Sequence, residues 1–153
     1  MKEYSHEPRS AAPLGPSKFS ADGFLGTDGR KPEEIIADDL STLQDMGIRR
    51  ESLTGALREI YSKAESALGN PVRISPRLKA EHFESRGKIP SPFDREGLFP
   101  KGEVELSDEK TGRTVIFTPL SIYLVEKHGF FQGKGSRYRL EPEEVADMLE
   151  LMK

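Results

Sequence analysis

The chain has no cysteine, so disulfides, thiolate nucleophiles and Cys-ligated zinc or iron–sulfur centres are excluded. It also lacks a long apolar run. The longest apolar cluster, Ile122 to Val125, falls far short of the ~18 residues of a membrane span. A strong excess of one charge is missing too. With 23 basic and 26 acidic side chains the net charge is −3, which favours neither nucleic acid nor an anionic membrane. Residues 1 to 20 hold Lys2, Glu3, His6, Glu7, Arg9 and Lys18 and no apolar stretch, so they do not read as a secretory signal. Together these absences predict a cytoplasmic protein without membrane partners.

Motifs of common chemistries are absent as well. No Gly-x-Ser-x-Gly elbow occurs, and no serine has His and Asp at a recognisable spacing. Gly129 and Gly133 enclose three residues where a P-loop needs four, and Gly135 follows Lys134 where Ser or Thr belongs. The loop from Gly23 to Arg30 follows no strand, so it is not a dinucleotide fingerprint but a connecting turn. No internal repeat is found.

What is present suits one α+β domain. Leu, Ile, Val and Phe make up about a quarter of the 153 residues, above the ~20% below which chains tend to disorder. Residues 1 to 32 carry four prolines and four glycines, and residues 1 to 20 are expected to form a flexible arm. A helix is predicted after Pro32, with Glu33 and Glu34 at its positive end. Ile36, Leu40 and Leu43 mark its buried stripe, Asp38, Asp39 and Asp45 lie off it, and Gly47 ends it. A second helix follows, with Leu53, Leu57, Ile60, Tyr61, Ala64 and Leu68 inward, stopped by Gly69 to Pro71. So short a turn makes the pair a packing hairpin or corner; as a DNA-reading helix-turn-helix it would present Glu51 and Glu59 to phosphate.

Val72 and Ile74 alternate as a short strand, and residues 78 to 86 read as another. Residues 87 to 102 are expected to be one long loop, pinned by Ile89, Phe93, Leu98 and Phe99. A hairpin follows, with strands at 103 to 107 and 114 to 118 and a turn closed by Gly112. Pro119 opens a helix apolar on most sides and ended by His128 and Gly129. Arg137 to Leu140 reads as a short strand, and Pro142 opens a last helix with Val145, Met148, Leu149 and Met152 inward. The expected architecture is a small antiparallel sheet packed with an N-terminal helix pair and two C-terminal helices, all within residues 21 to 153.

The segment from His128 to Arg139 is the leading candidate site. Gly129, Gly133 and Gly135 let the backbone approach a ligand and aim amides at it. Lys134, Arg137, Arg139 and His128 add positive charge, Ser136 a hydroxyl, and Phe130 or Phe131 a stacking face. The expected function is a non-enzymatic binding or regulatory protein, with no cofactor, that captures a small anion or a protein partner there. The structural alternative is a helix cap and turn, with Phe130, Phe131 and Tyr138 in the core.

Two further alternatives stand behind it. Residues 71 to 140 hold 13 basic and 9 acidic side chains, so Arg73, Arg77, Lys79, Arg137 and Arg139 could form a nucleic-acid surface. His82 and Glu84 would share one strand face and could join His128 as a two-His, one-carboxylate metal site of a small enzyme. The bland reading of that segment is an exposed His82 and Glu84 beside a buried Phe83.

Overall fold

The computed structural model describes residues 23–93 and 97–152. The arm expected over residues 1 to 20 lies outside the described residues. Four helices and two antiparallel sheets make an α+β fold. The first helix, α1, spans Pro32–Met46. Its Glu34 carboxylate accepts a hydrogen bond from the Lys31 backbone N–H at 2.9 Å, satisfying a donor at the helix entry. At the exit Gly47 takes the left-handed conformation, φ 70°, and Ile48 N–H donates to Leu43 O. The buried stripe of α1 is Ile35, Asp39 and Leu43: Leu43 is buried as expected, while Ile35 and Asp39 take the inner places expected of Ile36 and Leu40, which are only partly buried. Asp39 is drawn inward because Arg139 meets it there.

The second helix, α2, spans Arg50–Ser66 and buries Leu53, Leu57, Ile60 and Ala64. It packs chiefly against α3 (Pro119–His128), whereas α1 packs against α4 (Pro142–Met148), so α1 and α2 meet at a corner. The main sheet has the order β1-β2-β5-β6, formed by Val72–Arg73, Leu78–Phe83, Glu103–Asp108 and Thr114–Phe117. The β5–β6 hairpin closes as expected: Gly112, at φ 80°, donates its N–H to Asp108 O. Residues 87 to 102 are not one loop. They contain β3 (Lys88–Pro90) and β4 (Leu98–Pro100), a small sheet whose prolines sit at strand ends. Ile89, Phe93 and Phe99 pin it to the body, but Leu98 is exposed.

Two apolar cores result. One joins α2, the inner face of the main sheet and α4; the other gathers Phe24, Ile35, Leu120, Leu124 and Phe130. The third helix lies between them, giving Ile122 and Val125 to the first core and Leu120 and Leu124 to the second. Its burial on several sides matches its apolar sequence. Thr118 caps it, accepting from Ser121 N–H at 3.1 Å.

Three expectations fail for local reasons. Arg137 to Leu140 is a turn, because Ser136 O accepts from Arg139 N–H and Ser136 Oγ from Tyr138 N–H. Met152 is exposed, beyond the end of α4. Leu68 is exposed as well, because α2 stops at Ser66 and the Leu68 backbone turns left-handed, φ 53°, off the buried stripe. Among the described residues no helix is long and apolar enough to cross a membrane.

Candidate functional site

The two glycine-rich loops lie against each other. Gly133 N–H donates to Phe24 O at 2.8 Å and Thr27 N–H to Lys134 O at 2.9 Å. A Cβ on Gly133 would clash with the Leu25 carbonyl, and one on Gly26 with the Gly135–Ser136 backbone. These glycines therefore serve close packing of two chain segments. Asp28 completes the junction. Its carboxylate accepts from Lys134 N–H at 3.1 Å and from the Arg30 guanidinium, which holds it well below the usual carboxylate range.

The cations of this segment are matched by carboxylates. Lys134 pairs with Glu141 at 3.2 Å. Arg137 pairs with Glu103 at 2.5 Å, and Tyr138 donates its hydroxyl to the same carboxylate. The Arg139 side chain is buried; it binds Asp39 through both guanidinium nitrogens, reaches Glu141 at 2.9 Å and donates to Gln132 O. His128 stacks on Phe93, ring centroids 3.7 Å apart. Ser136 donates its hydroxyl to Gln132 Oε1 and its N–H to Gly133 O. Thus Lys134 and Arg139 converge on Glu141, while Arg137 turns to Glu103 and His128 to Phe93. Phe130 and Phe131 are in the core. An incoming anion would compete with a carboxylate at each of the three cations.

The basic stripe of the sheet is neutralised in the same way. Arg73 and Lys79 meet Glu109, and Arg77 is buried against Asp108 at 2.6 Å. The Asp108 carboxylate also accepts from Thr111 Oγ1 and Lys110 N–H, and with Arg77 these hold it well below its ordinary value.

Glu84 is exposed as expected, but His82 is not exposed and Phe83 is not buried. The register pairs His82 with Val104 on the inner face and Phe83 with Glu103 on the outer. His82 is therefore buried and Phe83 is 40% exposed. His82 Nε2 lies 3.1 Å from the Tyr61 hydroxyl, which donates to Gly102 O. The Tyr61 hydroxyl thus lies within hydrogen-bond distance of both His82 Nε2 and the Gly102 carbonyl. His128 is engaged with Phe93, and no group of three His, Asp or Glu able to hold a metal ion occurs among the described residues.

A different region collects carboxylates that form no ion pair among the described residues. Between the end of α2 and the end of β2 lies an open cleft of about 430 Å³. Leu68 and Phe83 supply apolar surface, Glu65, Glu81 and Glu84 the charge, and Gly69 and the buried His82 complete the lining. Among the described residues its lining includes three carboxylates and no lysine or arginine. Burial, reinforced by Glu65 and Glu84, pushes the Tyr61 hydroxyl up to about 12, so charges from helix and strand act on one point beneath the cleft. Glu81, part of this lining, stands directly opposite Glu105 on β5, a repulsive cross-strand pair. Leu68 is 87% exposed.

Sequence periodicity hid this cleft by assigning Leu68 and Phe83 to the core. One signal could have found it: Leu78 and Ala80 set an inward phase that continues to His82 and leaves Lys79, Glu81 and Phe83 outward. No protein-family model matches the chain, and the comparisons with curated proteins and with solved structures find no significant similarity.

Proposed function

We propose that this chain is a non-enzymatic protein-binding module, and that it docks a basic partner segment in the cleft between α2 and β2. One observation carries the reading: three carboxylates and two exposed apolar side chains share a concave surface whose lining, among the described residues, holds no lysine or arginine. Exposed apolar area next to water favours association, and one-signed charge at its edge selects an oppositely charged partner and speeds encounter. The same carboxylates repel phosphate, which disfavours nucleic acid.

Support also comes from the alternative region. Between residues 129 and 139 the amides of Gly133, Lys134 and Ser136 and the three cations are already engaged within the fold. Anion capture there would have to break a junction that holds two loops together.

The test is fluorescence anisotropy with a labelled Gly-Lys-Val-Arg-Leu-Lys-Gly peptide. Saturable binding is expected, weakened at least about ten-fold by the double substitution Glu81→Lys with Glu84→Lys, because rim charge reversal turns attraction into repulsion. A peptide with glutamate at the three basic positions should not bind. Absence of binding, or binding indifferent to the double substitution, overturns the reading.

A further inference from the structure

We infer that the cleft is a receptor for one arginine side chain, presented by an extended segment of a partner protein. The inference rests on the docking reading above and names the group that is read.

The argument starts from what the walls can satisfy. The polar atoms around the buried His82 are already used: the Tyr61 hydroxyl and His82 Nε2 bond each other, and Gly102 O accepts from the tyrosine. A guest therefore need not bring polar groups to them. Leu68 and Phe83 offer apolar surface, which suits the methylene stem of a long cationic side chain. Glu65 on the helix side and Glu81 and Glu84 on the strand side place negative charge around that stem's end. The required guest has an apolar shaft and a cationic head.

Arginine meets this better than lysine. The 40%-exposed Phe83 ring offers a π-face, and a planar guanidinium stacks on such a face while its N–H groups remain free to bond in its own plane. Five donors can serve carboxylates on two elements at once, whereas a compact ammonium stays strongly hydrated.

Two features of the unliganded protein are unfavourable until such a guest arrives. Glu81 and Glu105 repel across the β2–β5 ladder, and a cation bound to Glu81 in the cleft would offset part of that repulsion. Leu68 is apolar, almost fully exposed and in a left-handed conformation that leucine rarely adopts. A guest stem would cover it.

The experiment uses the full chain and three labelled peptides: Gly-Lys-Val-Arg-Leu-Lys-Gly, the same peptide with lysine for arginine, and the same with citrulline, which keeps the shape without the charge. Citrulline should weaken binding at least about ten-fold and lysine about three-fold, in line with the greater strength of charge-assisted, forked hydrogen bonds. Phe83→Leu keeps an apolar wall but should erase the preference for arginine over lysine. Equal binding of the arginine and citrulline peptides, or an arginine preference that survives Phe83→Leu, overturns the arginine receptor while leaving the docking reading intact. Failure of all three peptides to bind sinks the docking reading itself. Competition by free arginine at peptide concentrations would also overturn the proposal, by assigning the cleft to a small molecule.

Discussion

The junction of the two glycine loops and the cleft between α2 and β2 treat charge in opposite ways. At the junction Asp28, Arg30, Asp39, Lys134, Arg139 and Glu141 are interlocked, with the Asp39 and Arg139 side chains both buried. At the cleft Glu65, Glu81 and Glu84 line a surface with no opposing lysine or arginine among the described residues. The junction is rich in residues that suggest binding and uses them to hold itself together. The cleft carries no motif in its sequence and leaves its groups available. Charge counted along a chain is thus a poor guide to charge offered to a partner.

The comparison can be broken at its strongest point first. Asp39→Ala removes the two-pronged partner of the buried Arg139 side chain; because Glu141 and Gln132 O still hold the guanidinium, the cost is about 3 kcal/mol, the low end for breaking a buried ion pair. Thermal or urea unfolding should show a loss of that size. A loss near zero would mean that the junction is not held by its charges.

A pH titration extends the same point to the sheet. The folded Asp108 carboxylate lies below its unfolded value of 3.8, chiefly because Arg77 bonds it. A lowered carboxylate stabilises the fold above the unfolded value and loses that contribution as pH falls beneath it. The melting temperature should therefore drop steeply below about pH 4, and the Asp108→Asn variant should show a shallower acid drop from a lower starting point. Parallel curves for the two proteins would contradict this.

The cleft should respond in the opposite sense. Leu68→Gly removes left-handed strain and exposed apolar surface, so it should stabilise the free protein by about 0.5–1 kcal/mol while weakening peptide binding. Glu81→Gln should give the smallest effect, a gain of about 0.2–0.5 kcal/mol from relief of the Glu105 repulsion, measured by urea unfolding. Destabilisation by either substitution would show that the cleft, like the junction, is built for stability.

Much of the fold was legible from periodicity and punctuation. Pro32, Pro119 and Pro142 open three helices, Gly47 and Gly129 close two, and Gly112 shapes the hairpin turn. These signals are local, which is why they survive folding. The failures needed long-range information. Asp39 is buried only because Arg139, one hundred residues away, meets it. The strands β3 and β4 were hidden by the prolines that end them, and Arg137 to Leu140 by an alternation that Ser136 overrides.

The candidate site was less legible than the fold. Glycines and cations from 129 to 139 are the residue types of an anion site, but their partners come from the loop near Asp28, from Glu103 and from Glu141. Of the cleft, only His82 and Glu84 were singled out, and with the strand phase inverted. A one-residue shift of phase exchanges core and surface along a whole strand, and here it hid Phe83.

The central claim is that the cleft receives a basic segment of a partner, and amide chemical-shift mapping of the ¹⁵N-labelled chain with Gly-Lys-Val-Arg-Leu-Lys-Gly tests it most directly. The account predicts that the largest shifts fall on Leu68, Gly69 and Glu81 through Glu84, with residues 129 to 139 nearly still. Shifts centred on the glycine loops, or spread evenly over the surface, would contradict it.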